Sequence, residues 1–301
     1  MKKPRLFFSD AALFLVLAAW VLIPGCKNED ATQSKGPDLI AIVSDYGARD
    51  GALGELKGSI FSVHAKATVA DLAIDLEPFN TLQAAYVTSQ ASRELPAGSV
   101  VVAAVAPNQT PVTAPVLLQT ESGKFYVGPD NGVFTFILMR EKLLRAWKLD
   151  KPEFYRNQQP SAGFAGRDVL GPIAAYLVAG NDPAAVGTPV KKADLQLLPI
   201  TAASVSGPNI MGQIVHIDNF GNLVTNIFSD QATMLKEGNL VRITIGNDAV
   251  SGPLVKSFAD LPKGRVGLVY NSQNLLQICV LQGSAARQTG AKIGATVIVR
   301  Q

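Results

Sequence analysis

The chain contains two cysteines and two histidines among 301 residues. That leaves little from which to assemble a zinc centre of His and Cys ligands, and no metal site is expected. Cys26 ends an N-terminal apolar run, so Cys279 is the one cysteine left for the folded part and no disulfide framework exists within the chain. Cys279 lies in the apolar run Leu275–Leu281, where packing is its expected role. Charge is scarce too, at 17% of residues, with a net charge of +3 and no run of Lys or Arg longer than a pair. Binding nucleic acid needs a clustered basic face, so that partner class is set aside. The apolar run Ala11–Ile23 covers roughly 13 residues, short of the about 20 that cross a bilayer. Apolar side chains, by contrast, make up 48% of the chain. A sizeable core can therefore be buried, in one large domain or two smaller ones.

Lys2, Lys3 and Arg5 precede Ala11–Ile23, and together they read as a targeting segment. The segment ends in Ile23-Pro24-Gly25-Cys26, which resembles a bacterial lipobox. That resemblance implies a lipoprotein signal peptide over 1–26, lipidation of Cys26 and a polar tether over 27–37. A plain signal peptide or an anchor helix with an incidental cysteine is the alternative. Lys27, rather than an acid, follows the cysteine. The expected location is the bacterial cell envelope, lipid-anchored at the outer membrane and facing the periplasm.

Two regimes follow. The first, over 38–195, alternates short apolar strands with helical spacing. Strands are expected at Leu39–Ser44, Thr68–Ala73 and Ser99–Val105, with helices over Gly51–His64 and Thr81–Leu95. This βαβαβ order predicts an α/β domain with a mostly parallel sheet. A hairpin is expected over Val116–Gly128 around Glu121-Ser122-Gly123. Helices are expected over Phe134–Leu149 and Leu170–Ala179. The second regime, over 205–301, shows strands alone and predicts a small β-barrel-like domain, joined by Lys191–Pro208.

Several polar groups fall where such folds keep ligands. Asp45 ends the first strand, where a carboxylate can accept two hydrogen bonds from a ribose diol. Asp50 is as well explained by capping the helix that follows. Pro129-Asp130-Asn131-Gly132 and Asp218-Asn219-Phe220-Gly221-Asn222 read equally as turns. Gly166-Arg167-Asp168 reads as an ion pair at a helix start.

Taken in order, these pieces form a specific set. They are Ser44-Asp45-Tyr46-Gly47 with Asp50, Gly54-x-x-Lys57-Gly58, Val69-Ala70-Asp71-Leu72, Pro78-Phe79, Val127 to Gly132, and Phe164-x-Gly166-Arg167-Asp168. The second regime adds Ile217-Asp218-x-Phe220-Gly221-Asn222-x-x-Thr225-Asn226-Ile227, Asn271-Ser272 and Gly283-Ser284-Ala285-Ala286. The set resembles the SAM hydroxide adenosyltransferase (SAM hydrolase) family, related to the SAM-dependent fluorinase and chlorinase. It runs from about residue 38 to the C-terminus.

The resemblance implies a homotrimer, with S-adenosyl-L-methionine bound between the first domain of one subunit and the second domain of its neighbour. Asp45 then matches the ribose carboxylate, while Asp50 and Asp218 match acids near the methionine ammonium. Phe79 matches an aromatic at the ribose and adenine, Asn222 an adenine-edge contact and Ser272 a contact to the methionine carboxylate. Phe164 and Gly166 line the C5′ side, braced by Arg167 and Asp168.

The family's chemistry is missing from the matching positions. The hydrolases use an Asp-Arg-His set on water, and the aligned residues here are Ala106, Thr113 and Ala165. The halide-site hydroxyls of the halogenase branch align with Ala106, Gln109 and Gly166. No catalytic residue is therefore assigned, and no cofactor. The expected protein is an envelope-tethered binder of SAM, adenosine or another nucleoside-type ligand, with weak or lost hydrolysis. An active SAM hydrolase, another C5′ substitution enzyme and a non-binding structural trimer are the alternatives.

Overall fold

The computed structural model describes residues 36–105, 114–161 and 163–301. The signal segment with Cys26, most of the tether, and Ala106, Gln109 and Thr113 lie outside the described residues. Gly36–Gln301 form one compact unit.

The chain begins with β1 (Leu39–Ser44), α1 (Ala52–Val63), β2 (Thr68–Ala73), α2 (Thr81–Ala91) and β3 (Val100–Ala104). The first sheet starts from β1, whose residues Ile40–Ser44 are all buried. β1 pairs in parallel with β2 on one side and β3 on the other. A strand covered on both faces has no polar side to show, which is why it reads as an unbroken apolar run. α1 buries Leu53, Leu56, Ser59 and Ile60, one stripe at helical spacing. The α2 start is capped by Asn80, whose side chain accepts from the Gln83 N–H at 3.0 Å.

Next come β4 (Pro115–Thr120) and β5 (Phe125–Pro129), the expected hairpin, closed by the Gly123 N–H donating to the Thr120 carbonyl at 2.9 Å. α3 (Thr135–Arg140) is short and is followed by β6 (Leu143–Lys148). The expected helix over Phe134–Leu149 is therefore corrected: only its first third is helical. Glu141 is extended (φ −120°, ψ 148°), with its carboxylate on Arg140 Nη2 at 2.6 Å. Beyond it the backbone of β6 pairs antiparallel with β4. The hydrogen bonds of that pairing satisfy the open edge of β4, and tertiary context overrides the local helical spacing.

A π-helical turn (Gly166–Leu170) leads into α4 (Gly171–Val178), and β7 (Thr188–Pro189) completes the sheet. The sheet order is β2-β1-β3-β5-β4-β6-β7, parallel through β5.

The remaining strands are β8 (Ser204–Ser206), β9 (Asn209–Ile217), β10 (Leu223–Phe228), β11 (Leu240–Ile245), β12 (Asp248–Pro253), β13 (Val266–Tyr270) and β14 (Leu275–Val280). α5 (Ala285–Thr289) and β15 (Thr296–Arg300) end the chain. They form an antiparallel sheet of order β12-β11-β15-β9-β10-β14-β13, with β8 on β9. Its two ends meet where the Val255 N–H donates to the Leu268 carbonyl at 2.9 Å, so the sheet is nearly a closed barrel. Closure of this kind leaves little free strand edge. β12 has almost no apolar alternation to announce it; it exists because it pairs in register along all of β11. Cys279 is fully buried in this domain. No described helix is long and apolar enough to cross a membrane.

Candidate functional site

The first group of polar residues gathers beyond the carboxyl end of β1. Gly47 turns the chain there with φ +69°, its N–H donating to the Ile74 carbonyl at 2.6 Å. Asp45 Oδ2 accepts from the Phe79 backbone N–H at 2.9 Å, a contact across 34 positions of sequence. Partial burial holds the Asp45 carboxyl above the usual carboxylate range, against the pull of that hydrogen bond. Phe79 itself has φ +62°, a conformation a bulky residue seldom adopts, and its ring is 51% exposed. Such strain costs on the order of 1–3 kcal/mol and concentrates at functional sites. Asp50 accepts from the Ala52 N–H at the start of α1 at 3.0 Å.

On the other side, Phe164 packs edge-on against Tyr46 with ring centroids 5.5 Å apart. Gly166 lies so close to Tyr46 that a Cβ there would fall 2.3 Å from the hydroxyl. Ala165 sits between the two, a methyl with nothing to give or take a proton. Burial and the nearby Asp45 raise the Tyr46 hydroxyl above its ordinary range, so it remains protonated. Beneath, Arg167 holds Asp168 (Nε to Oδ1 2.7 Å, Nη2 to Oδ2 3.1 Å) and Glu55 of α1 at 2.7 Å. Its guanidinium also covers the Phe164 ring at 4.8 Å. This ties the Phe164–Gly166 segment to the helix layer.

The second group lies in the barrel-like domain, along a cleft of about 770 Å³. Asp218, Asn222 and Ser272 all line it. The Asp218 carboxylate builds the β9–β10 turn. Oδ1 accepts from the N–H groups of Phe220 (3.0 Å) and Asn222 (2.9 Å). Oδ2 accepts from Asn222 Nδ2 (2.9 Å) and Gln277 Nε2 (3.2 Å). With its amide nitrogen so engaged, Asn222 is left with an acceptor oxygen, which suits an exocyclic amine on a base. Phe220, at the tip, is 77% exposed.

Gly221 makes this turn possible. It has φ +80°, and a Cβ would stand 2.0 Å from Ser284 Oγ, which itself caps α5 by accepting from the Arg287 N–H at 3.1 Å. Gly221→Ala is expected to cost about 2–3 kcal/mol of stability, measured by urea unfolding.

Sequence reasoning missed Tyr86 and His216. Their rings stack at 5.1 Å with 25° between planes, joining α2 to β9 along the cleft wall. The Tyr86 hydroxyl donates to Gln273 Oε1 at 3.1 Å. Burial lowers the His216 pKa, partly opposed by Asp218. The signal was there for His216: it lies next to the end of an expected strand, two residues before Asp218 in the turn. Tyr86 carried none, because an aromatic on a buried helix face is ordinary core.

Within one chain the two groups stay apart. None of Asp45, Asp50, Phe79, Phe164 and Gly166 lines the cleft that holds Asp218, Asn222 and Ser272. Among the described residues no cluster of three His, Cys, Asp or Glu side chains is placed to hold a metal.

Comparison with known proteins places this geometry in a family. The model of the SAM hydroxide adenosyltransferase N-terminal domain matches residues 40–187, and that of the C-terminal domain matches residues 212–298. The (R)-S-adenosyl-L-methionine hydrolase of Thermus thermophilus is 31% identical over 86% of this chain and 98% of its own. Its namesake from Methanocaldococcus jannaschii is 29% identical over 83% and 91%. A fluorinase from Nocardia brasiliensis is 25% identical over 87% and 96%. In structure, an uncharacterized conserved protein from Thermotoga maritima superposes with a TM-score of 0.80 at 26% identity, covering 87% of this chain and all of its own. With both domain models matched in order across most of the folded chain, the protein belongs to the SAM hydroxide adenosyltransferase family.

Proposed function

We propose that the protein binds an adenosyl ligand, SAM or adenosine, in a cleft completed by a second copy of itself, and turns it over slowly or not at all. The observation that carries this reading is a kept cradle beside a lost base. Asp45 is fixed on Phe79 and Asn222 offers an acceptor along the cleft. Between Phe164 and Gly166, however, stands Ala165. The separation of the two groups within one chain favours assembly, since a neighbouring subunit, in a homotrimer, would bring Asp218, Asn222 and Ser272 to the Asp45 face. Asp45 would take the ribose diol, Asn222 the adenine edge and Ser272 the methionine carboxylate.

The test is calorimetric titration with adenosine and with SAM. Saturable heat is expected for one or both, and Asp45→Ala should abolish it by removing the charged acceptor and releasing Phe79. Equal affinity in the variant would refute the proposed binding mode. The envelope location rests on the Cys26 segment, and Cys26→Ser is expected to release the protein from the membrane fraction.

A second reading is an active SAM hydrolase, favoured by the 31% identity to a relative of that name. Turnover separates the two.

A further inference from the structure

Tyr86 walls a second cavity as well as the cleft. This one, of about 400 Å³, lies between α2, α3 and the barrel-like domain. Its walls are largely apolar, with Phe136, Ile200, Phe228 and Leu275 among them, and Met139 stands at its edge with 64% of its surface exposed. Among the described residues no acidic side chain lines it, while two arginines do.

The two guanidiniums differ. Arg140 is satisfied by the Ser89 carbonyl, by Ser89 Oγ at 2.8 Å and by Glu141 Oε1 at 2.6 Å. Arg93 is exposed and makes no salt bridge among the described residues.

The three amide side chains of the wall each accept one hydrogen bond within the fold. Asn226 Oδ1 accepts from the Gln213 N–H at 2.7 Å, and its Nδ2 donates to the Thr201 carbonyl at 2.7 Å. Gln231 Oε1 accepts from the Phe228 N–H at 3.0 Å, and Gln273 Oε1 from the Tyr86 hydroxyl at 3.1 Å. Among the described residues Gln231 Nε2, Gln273 Nε2 and the Arg93 guanidinium donate to no partner, so the wall offers open donors, one of them charged.

Each amide oxygen keeps a second lone pair, but the uncompensated charge on this wall is the Arg93 guanidinium, which favours an anion over a neutral sugar or base. A cation would meet two arginines. An apolar body with one acceptor-rich anionic head matches both the walls and the donors.

We infer that this interdomain cavity is a binding site for a small amphipathic carboxylate, with its apolar aryl or alkyl body against Phe136 and Phe228 and its head at Arg93. The site is separate from the cleft and needs no second copy of the chain.

The test is a titration of the full-length protein with 2-naphthoate and with its neutral counterpart 2-naphthol. One 2-naphthoate per chain is expected, with 2-naphthol at least about ten-fold weaker, the usual worth of a charge-assisted hydrogen bond. Arg93→Gln should erase that difference. Ala203→Trp, which fills the cavity, should abolish binding of both. If that variant fails to fold, Met139→Glu at the exposed edge serves instead, because it adds a charge of the ligand's own sign to the cavity's lining. Equal affinity for the acid and the alcohol would overturn the inference. So would binding that survives both cavity variants, or no saturable binding at all.

Discussion

Supplied with SAM, the protein is expected to release adenosine and methionine about 10²–10⁴-fold more slowly than the Thermus thermophilus hydrolase, the usual worth of a positioned general base. The reason is local. Ala165 occupies the position before Gly166, and its methyl group can neither orient nor deprotonate water. Among the described residues beside it, neither Tyr46 nor Asp45 takes over. The Tyr46 hydroxyl is held protonated by burial and by Asp45, and Asp45 is tied to the Phe79 backbone. Positioning remains as a source of rate, which is why some turnover is expected. Ala165→His alone should recover little, because groups that act as a unit do not contribute additively. Chromatographic detection of both products decides the matter, and turnover within about ten-fold of that relative would exclude the loss argued here.

Asp168→Ala is expected to lower the free energy of unfolding by about 2–4 kcal/mol, read from urea denaturation, because it strands a guanidinium built around a buried carboxylate. The Asp168 side chain is 1% exposed and receives Arg167 through two nitrogens, with the Ser161 N–H added at 2.8 Å. Arg167 then joins Glu55, so the loss spreads from the π-helical turn to α1. The pH dependence follows from the same contacts. Chiefly through Arg167, the Asp168 carboxyl is held down at about 2. The unfolded chain has it near 3.9. A depressed folded value means the contribution is complete above about pH 4 and is lost as pH falls towards 2. The stability gap between the protein and Asp168→Asn should therefore narrow over that acid window. A gap that stays constant across it would show that the carboxylate charge contributes nothing.

How much could be read in advance depended on where the cause of each feature lay. β1 is legible residue for residue at Leu39–Ser44, because an apolar run between turn residues carries its own boundaries. The Glu121-Ser122-Gly123 hairpin was legible for the same reason. β6 was not, since Leu143–Lys148 extends only because the β4 edge lies beside it. The site divides likewise. Asp218 and Asn222 were visible as a turn with polar tips, a property of five consecutive residues. Phe79 was visible as a motif position, but its left-handed backbone was not, because Asp45 imposes it from 34 residues away.

The sequence by itself determined the alternation of strands and helices, the all-β second half, the family motifs and the absence of a base at Ala165. Each is a matter of residue type or short-range spacing, which the order of residues states directly. Only the tertiary structure decided that Tyr86 stacks on His216 and that two cavities share Tyr86 as a wall. Those features arise where α2 meets the barrel-like domain. Long-range packing makes them, and no local pattern encodes them.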